Sequence, residues 1–231
     1  MKKVSKAKKR EIRRNIILSI AVVIILIGIL SKGFRVVKTI YSYLHKDAQT
    51  VSVDYTEYDV SKPEIKQMLL TKNKNSRPGN TLSQVNGIVI HYTANPGTDA
   101  KANRDYFESR KDEPDESQNK VSSHFIIGLD GTIIQCIPLN EIAYASNDRN
   151  ADTISIECCH PDKTGKFSDK TYKSLVNLSA WLCSKYRLGR KNIIRHYDVT
   201  GKMCPLYYVK HDNAWISLKN NIWKRFLSSK K

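Results

Sequence analysis

Residues 195–205 read RHYDVTGKMCP, a stretch that holds an imidazole (His196), an ammonium (Lys202) and a thiol (Cys204) close together. A second imidazole, His91, lies about a hundred residues earlier in the β-rich run GIVIHYTANPG. Two imidazoles and a thiolate make a three-ligand zinc set whose fourth position stays open for water, the arrangement of a catalytic site. Taken singly these signals are weak. A strand-terminal histidine is more often a hydrogen-bonded structural residue, and a His-x7-Cys spacing alone says little about a metal. The combination with Glu157 and Lys202 carries more. Glu157 interrupts the apolar run DTISIECC, where an unpaired charge is expensive. Either a salt bridge explains it, or it is a general base that takes a proton from water at the metal. Lys202 is either a solvated loop charge or a cation that steadies a tetrahedral intermediate and depresses the neighbouring thiol's pKa.

The elements that must position these groups can be read from the same sequence. GIVIH is a short buried strand ending at His91, closed by the turn residues Asn95, Pro96 and Gly97. SSHFIIGLDGTIIQCIP is a hairpin around Asp130-Gly131, a pair suited to a type I′ turn. In DTISIECC, Ile154, Ile156 and Cys158 share one face and Ser155, Glu157 and Cys159 the other. A helix is expected near residues 100–110. Ser168 caps a longer one with Tyr172, Leu175, Val176, Ser179, Leu182, Cys183 and Tyr186 on one stripe. NIIRH reads as a last short strand ending at His196, and Asn213 to Phe226 as a last helix. Strands interspersed with helices give an α/β fold, a single domain with a central mixed sheet flanked by helices, and sites at strand ends suit it.

The formal charge of +17 is mostly local. Eleven Lys and Arg against Glu11 in the first 40 residues supply ten of it. They bracket NIILSIAVVIILIGILS, residues 15–31, an uncharged run at the short end of what spans a bilayer. Eight basic residues precede it and three follow closely, so the positive-inside rule keeps the N-terminus cytoplasmic and the rest outside. A cleaved signal peptide would have a shorter apolar core and a small-x-small cleavage site, which is not clear before Lys32. The expected organisation is a basic cytoplasmic tail (1–14), a transmembrane anchor (15–31), a stalk (32–63) and the catalytic domain (64–231). With Cys204 as a ligand, Cys136, Cys158, Cys159 and Cys183 remain, either paired or as buried thiols.

GIVIHYTANPG, SSHFIIGLDGTIIQCIP, ISIECC and RHYDVTGKMCP, in this order, resemble the zinc-dependent N-acetylmuramoyl-L-alanine amidases of the type 2 amidase and peptidoglycan-recognition superfamily, over roughly residues 64–226. The resemblance implies that His91, His196 and Cys204 bind Zn2+, that Glu157 is the catalytic base and that Lys202 is the catalytic lysine. In one respect the chain departs from the pattern: some relatives carry a catalytic tyrosine just before the histidine matching His124, and here Ser123 stands there. His124 is left as a substrate contact, a group that supports a ligand from behind, or a structural residue.

The implied activity is hydrolysis of the amide between N-acetylmuramic acid and the L-alanine of the stem peptide. The partners would be peptidoglycan or muropeptides, the bacterial cytoplasmic membrane through the N-terminal helix, and anionic wall polymers drawn by the remaining basic charge. The location would be the cell membrane, single-pass, with the catalytic domain extracellular. Two other readings compete: a peptidoglycan-binding module without catalysis, and a wall hydrolase using Cys204 with His196. Nucleic-acid binding is a poor account of the charge, which mostly flanks the apolar run.

Overall fold

The computed structural model describes residues 53–114 and 120–231; the apolar run 15–31 and its basic flanks lie outside them. Asp54–Lys231 form one compact unit. Six strands build a single mixed sheet: β1 (Lys66–Gln67), β2 (Gly87–Tyr92), β3 (Phe125–Ile127), β4 (Ile133–Gln135), β5 (Thr153–Cys158) and β6 (Ile193–Arg195). Their spatial order is β1-β4-β3-β5-β2-β6, and only β3 and β4 run antiparallel. The α/β fold with a mixed central sheet is therefore as expected. Central β2 is buried along nearly its whole length, as a parallel strand between two neighbours must be.

Helix α1 (Ala100–Ser109) is capped by Asp99, whose carboxylate accepts from Ala102 N, and packs against β3 and β4. Its Ala100 and Phe107 meet Ile126, Ile134, Cys136 and Cys159 in a buried cluster. Helix α2 (Asp169–Tyr186) starts at Ser168, as its cap signal implies. The Ser168 hydroxyl accepts from Thr171 N at 3.0 Å and donates to Leu129 O at 2.8 Å, so the cap also ties the helix to the hairpin loop. Leu175, Ser179, Leu182 and Cys183 of the expected stripe are buried, joined by Leu178 and Ala180. Two short helices, α3 (His196–Thr200) and α4 (Leu206–Lys210), precede α5 (Asp212–Leu227), which packs on α2.

Two local expectations need correction. The β3–β4 hairpin forms, but its connection runs from Gly128 to Thr132 and only Gly131 takes positive φ (86°), so the turn is not type I′. The Asp130 carboxylate accepts from Thr132 N and Oγ1 and closes the loop from inside. His196 does not end a strand: it is the first residue of α3, because Asp198 accepts from the Arg195 backbone N–H at 2.8 Å and turns the chain into a helix there. All five cysteines are buried free thiols. Among the described residues no helix is long and apolar enough to cross a membrane.

Residues 54–63, expected in the stalk, belong to the packed unit. Tyr55 and Tyr58 lie against Phe226 with ring centroids 5.5 and 4.6 Å away, and Tyr58 bridges Lys230 in antiparallel fashion. Asp59 N donates to Ser229 O and Lys231 N to Glu57 O. The sequence reading missed this because the segment has no periodicity of its own; its partners are the last residues of the chain. Phe226→Ala should cost roughly 3–5 kcal/mol in urea unfolding. A double-mutant cycle with Tyr58→Ala should return a coupling of about 0.5–1.5 kcal/mol. Additive losses would return residues 54–63 to the stalk.

Candidate active site

β2 and β6 lie side by side and parallel, with Ile90 opposite Arg195, so the residues that follow this pair sit together at one sheet end. There the His91 and His196 rings meet edge to face with centroids 4.7 Å apart. On the other flank β5 places Glu157 directly opposite His91. The third group comes from the loop after α3. Gly201 ends that helix with φ 77°, a left-handed conformation that a glycine adopts without Cβ strain. The chain then folds back until Tyr197 N donates to Cys204 O at 2.9 Å. His91, His196 and Cys204, all buried, thereby bring one donor atom each within 4.8 Å of one another. His91 Nδ1 is 3.8 Å from Cys204 Sγ.

These distances and donor types fit zinc. Arms of about 2.0 Å to nitrogen and 2.3 Å to sulfur put tetrahedral ligand atoms roughly 3.5 Å apart, close to the observed separation. Burial, the nearby His196 and the positive Lys202 hold the His91 pKa well below its ordinary value, and burial with Lys202 lowers His196 likewise. Both rings are neutral at pH 7 and keep a lone pair for a cation. The Cys204 thiol is pushed up to about 12 by burial, with Glu157 adding to it, while the Tyr92 backbone N–H and Lys202 pull the other way. Lys202 therefore acts on the thiol in the expected direction but is outweighed by desolvation.

Among the described residues Glu157 has no Lys or Arg as a salt-bridge partner. Its Oε1 is 3.9 Å from Nδ1 of a neutral His91, and its buried Oε2 has no hydrogen-bond partner among the described residues. Burial raises its pKa to about 8, with Lys202 pulling it down. The three donors, Glu157 and the exposed Lys202 all line one cleft of about 430 Å³. Asn103, Tyr106 and Phe107 of α1 and the chain around Tyr144 line it as well. Tyr106 is 54% exposed, an aromatic surface open at the cleft rim.

His124 is elsewhere. It is buried, absent from the cleft lining, and satisfied at both nitrogens: Nδ1 by Ser155 N and Oγ at 3.0 Å, Nε2 by Glu141 O at 2.9 Å. Of the roles open to it, this geometry matches the structural one, a brace between β5 and the loop of Glu141. Ser123, at the position of the relatives' tyrosine, donates to Phe125 O and is fully buried. Sequence reasoning did not pick out Ser146 and Asn147. Ser146 Oγ lies 3.2 Å from His91 Nε2 and Asn147 Oδ1 lies 3.0 Å from His196 Nε2. No local pattern marks them, since each contact spans about fifty residues.

His124 generates a pH prediction. Burial lowers its folded pKa to about 4, beneath the unfolded value of about 6.5. Between those values the unfolded chain binds more protons, so stability falls as pH drops from 6.5 toward 4. A His124→Asn variant, less stable throughout, should show a flatter melting temperature over that window. Parallel curves for variant and parent would remove His124 from the pH response.

Residues 81–206 match the Amidase_2 family, described as N-acetylmuramoyl-L-alanine amidase. The chain is 35% identical over 164 residues to N-acetylmuramoyl-L-alanine amidase CwlL of Bacillus licheniformis, a match covering 65% of this chain and 44% of CwlL. It is 33% identical over 171 residues to N-acetylmuramoyl-L-alanine amidase BlyA of Bacillus subtilis (strain 168), with the same shares. The chain thus spans less than half the length of these relatives. Among solved structures, PlyL superposes with a TM-score of 0.57 at 25% identity, covering 69% of this chain and 97% of its own. The catalytic domain of XlyA does so with a TM-score of 0.54 at 27% identity, covering 69% and 99%. With more than half its residues matched by the family and the same fold shared with these structures, the chain belongs to the N-acetylmuramoyl-L-alanine amidases of type 2.

Proposed function

We propose that the domain is a zinc peptidoglycan hydrolase that cleaves the amide between N-acetylmuramic acid and the L-alanine of the stem peptide. One observation carries the reading: His91, His196 and Cys204 converge at a cleft beside the partly buried Glu157, whose buried Oε2 has no partner among the described residues. His91, His196 and Cys204 would hold the ion. Zinc when bound supplies Lewis-acid polarisation of the scissile carbonyl and makes the attacking water more acidic. Among the described residues no donor meets Glu157 Oε2, and once a bound cation offsets the burial that raises its pKa to about 8, the carboxylate can take the proton of the attacking water and pass it to the departing amine. Lys202 lies at the same cleft and offers its ammonium to the negative charge that develops on the carbonyl oxygen. The aromatic and amide groups that line the cleft give a muropeptide a surface to rest on.

The competing cysteine-hydrolase reading fits less well. A nucleophilic cysteine is partly exposed and carries a depressed pKa, whereas Cys204 is 3% exposed and its thiol is pushed up to about 12. The wider organisation belongs to the same proposal: residues 1–14 cytoplasmic, 15–31 a single-pass anchor in the cytoplasmic membrane, and the catalytic domain outside, next to its substrate. It is supported by the eight basic residues before the apolar run against three close behind it. The basic charge outside the N-terminal segment would favour anionic wall polymers.

Glu157→Gln keeps the shape but cannot accept a proton. Zinc content and muropeptide affinity should survive while stem-peptide release falls roughly 10²- to 10⁴-fold. Cys204→Ala should lose zinc and activity together, and Cys204→Asp, which still offers a ligand, should keep some of both. Near-normal release by Glu157→Gln, or by metal-free Cys204→Ala, would sink the mechanism. For topology, protease added to spheroplasts should digest the domain beyond residue 40 and spare the N-terminal tail; a protected domain would end the anchor proposal.

A further inference from the structure

We propose that Ser146 and Asn147, adjacent on one loop, are positioning residues that set both histidines of the site, each engaging Nε2 of one ring so that both rings keep a bare Nδ1 as the metal-donor atom. This rests on the zinc reading above, and it concerns residues that neither the ligand set nor the base and lysine assignments include.

Hydrogen-bond chemistry fixes the direction of the first contact. Asn147 Oδ1, 3.0 Å from His196 Nε2, can only accept, so Nε2 carries the proton and the lone pair of the neutral ring is on Nδ1. On the other ring, Ser146 Oγ stands 3.2 Å from His91 Nε2, and Nδ1 is the nitrogen that faces Cys204 Sγ at 3.8 Å and Glu157 Oε1 at 3.9 Å. Ser146 is 1% exposed, so water does not compete for that contact. An acceptor behind a ligating imidazole selects its tautomer, fixes its plane and raises its basicity.

The loop is built to hold these two side chains still. Asn150 Oδ1 accepts from both Ala145 N and Ser146 N, at 3.0 and 2.6 Å. Asn147 adopts φ 51°, a left-handed conformation that asparagine tolerates better than most residues. Arg149 pairs with Asp152, and its carbonyl accepts from Thr153 Oγ1 at the first residue of β5. The acceptors for both histidines are thereby attached to the strand that carries Glu157, and one rigid segment sets the spacing of ligand rings and base.

The test uses the full chain, with zinc affinity measured by competition against a chelating dye. Ser146→Ala and Asn147→Gly, the latter chosen because glycine keeps the positive φ, should each weaken zinc binding roughly 10- to 100-fold. Asn147→Asp restores an acceptor and should recover affinity to near the parent value, a rescue that a general folding defect would not give. Selective ¹⁵N labelling of histidine in the metal-free protein should show both rings as the Nε2–H tautomer, with His196 becoming a mixture in Asn147→Gly. Zinc affinity unchanged in both deletion variants, or a parent protein whose rings carry Nδ1–H, overturns the inference. A parent that binds no zinc would overturn the metal reading instead, and the tautomer spectra would then decide the role of the loop by themselves.

Discussion

The parallel register between β2 and β5 puts His91 directly across from Glu157, and the side chains on that face follow a period of two. A slip of one residue would turn Glu157 to the opposite face of the sheet and bring Ile156 or Cys158 opposite His91. The neighbouring pairing of β2 with β6 then delivers His196 to the same end. Three of the five chemistry-bearing groups are therefore placed by the backbone pairing of β2 with β5 on one side and with the edge strand β6 on the other. The other two, Lys202 and Cys204, follow from where α3 stops. Gly201 permits that stop, and the Tyr197 to Cys204 backbone bond fixes the return.

Electrostatics at this sheet end follow from the burial that the register imposes. Two imidazoles beside each other and near an ammonium stay neutral; a thiol and a carboxyl with little access to water resist ionising. A set of neutral donors packed this closely has lone pairs to give and little charge to lose. A divalent cation reverses the balance, because it favours the thiolate and the carboxylate that burial opposes. The unpartnered Glu157 Oε2 is the clearest mark of that design: in a purely structural core it would be costly to keep.

The remaining architecture holds this end in place. His124 joins β5 to the loop of Glu141, whose own side chain forms a paired contact with Arg77 at 2.7 and 2.8 Å. Asn75 donates to three backbone carbonyls after α1, at Arg110, Glu113 and Pro114. Both are buried polar groups that brace loops, and neither lines the cleft.

By itself the sequence determined the α/β class, the strand that carries His91, which runs one residue further to Tyr92, the hairpin and the Ser168 cap, and it singled out five groups that the fold gathers along one cleft. Each of these is written in local signals: an apolar run, a turn pair, a cap residue, an acid out of place in a strand. The tertiary structure decided the rest. That Tyr55 and Tyr58 pack on Phe226, that His124 is a brace, and that Ser146 and Asn147 stand behind the two imidazoles are all contacts between distant segments, whereas the helix that His196 opens is set by the bond from Arg195 N to Asp198 three residues on. A hydrogen bond to a side chain about fifty residues away, or a ring contact about a hundred and seventy away, leaves no periodicity in the chain. Only folding, which brings strand ends and loops to one edge of the sheet, gives serine and asparagine on an unremarkable loop the two nitrogens they meet.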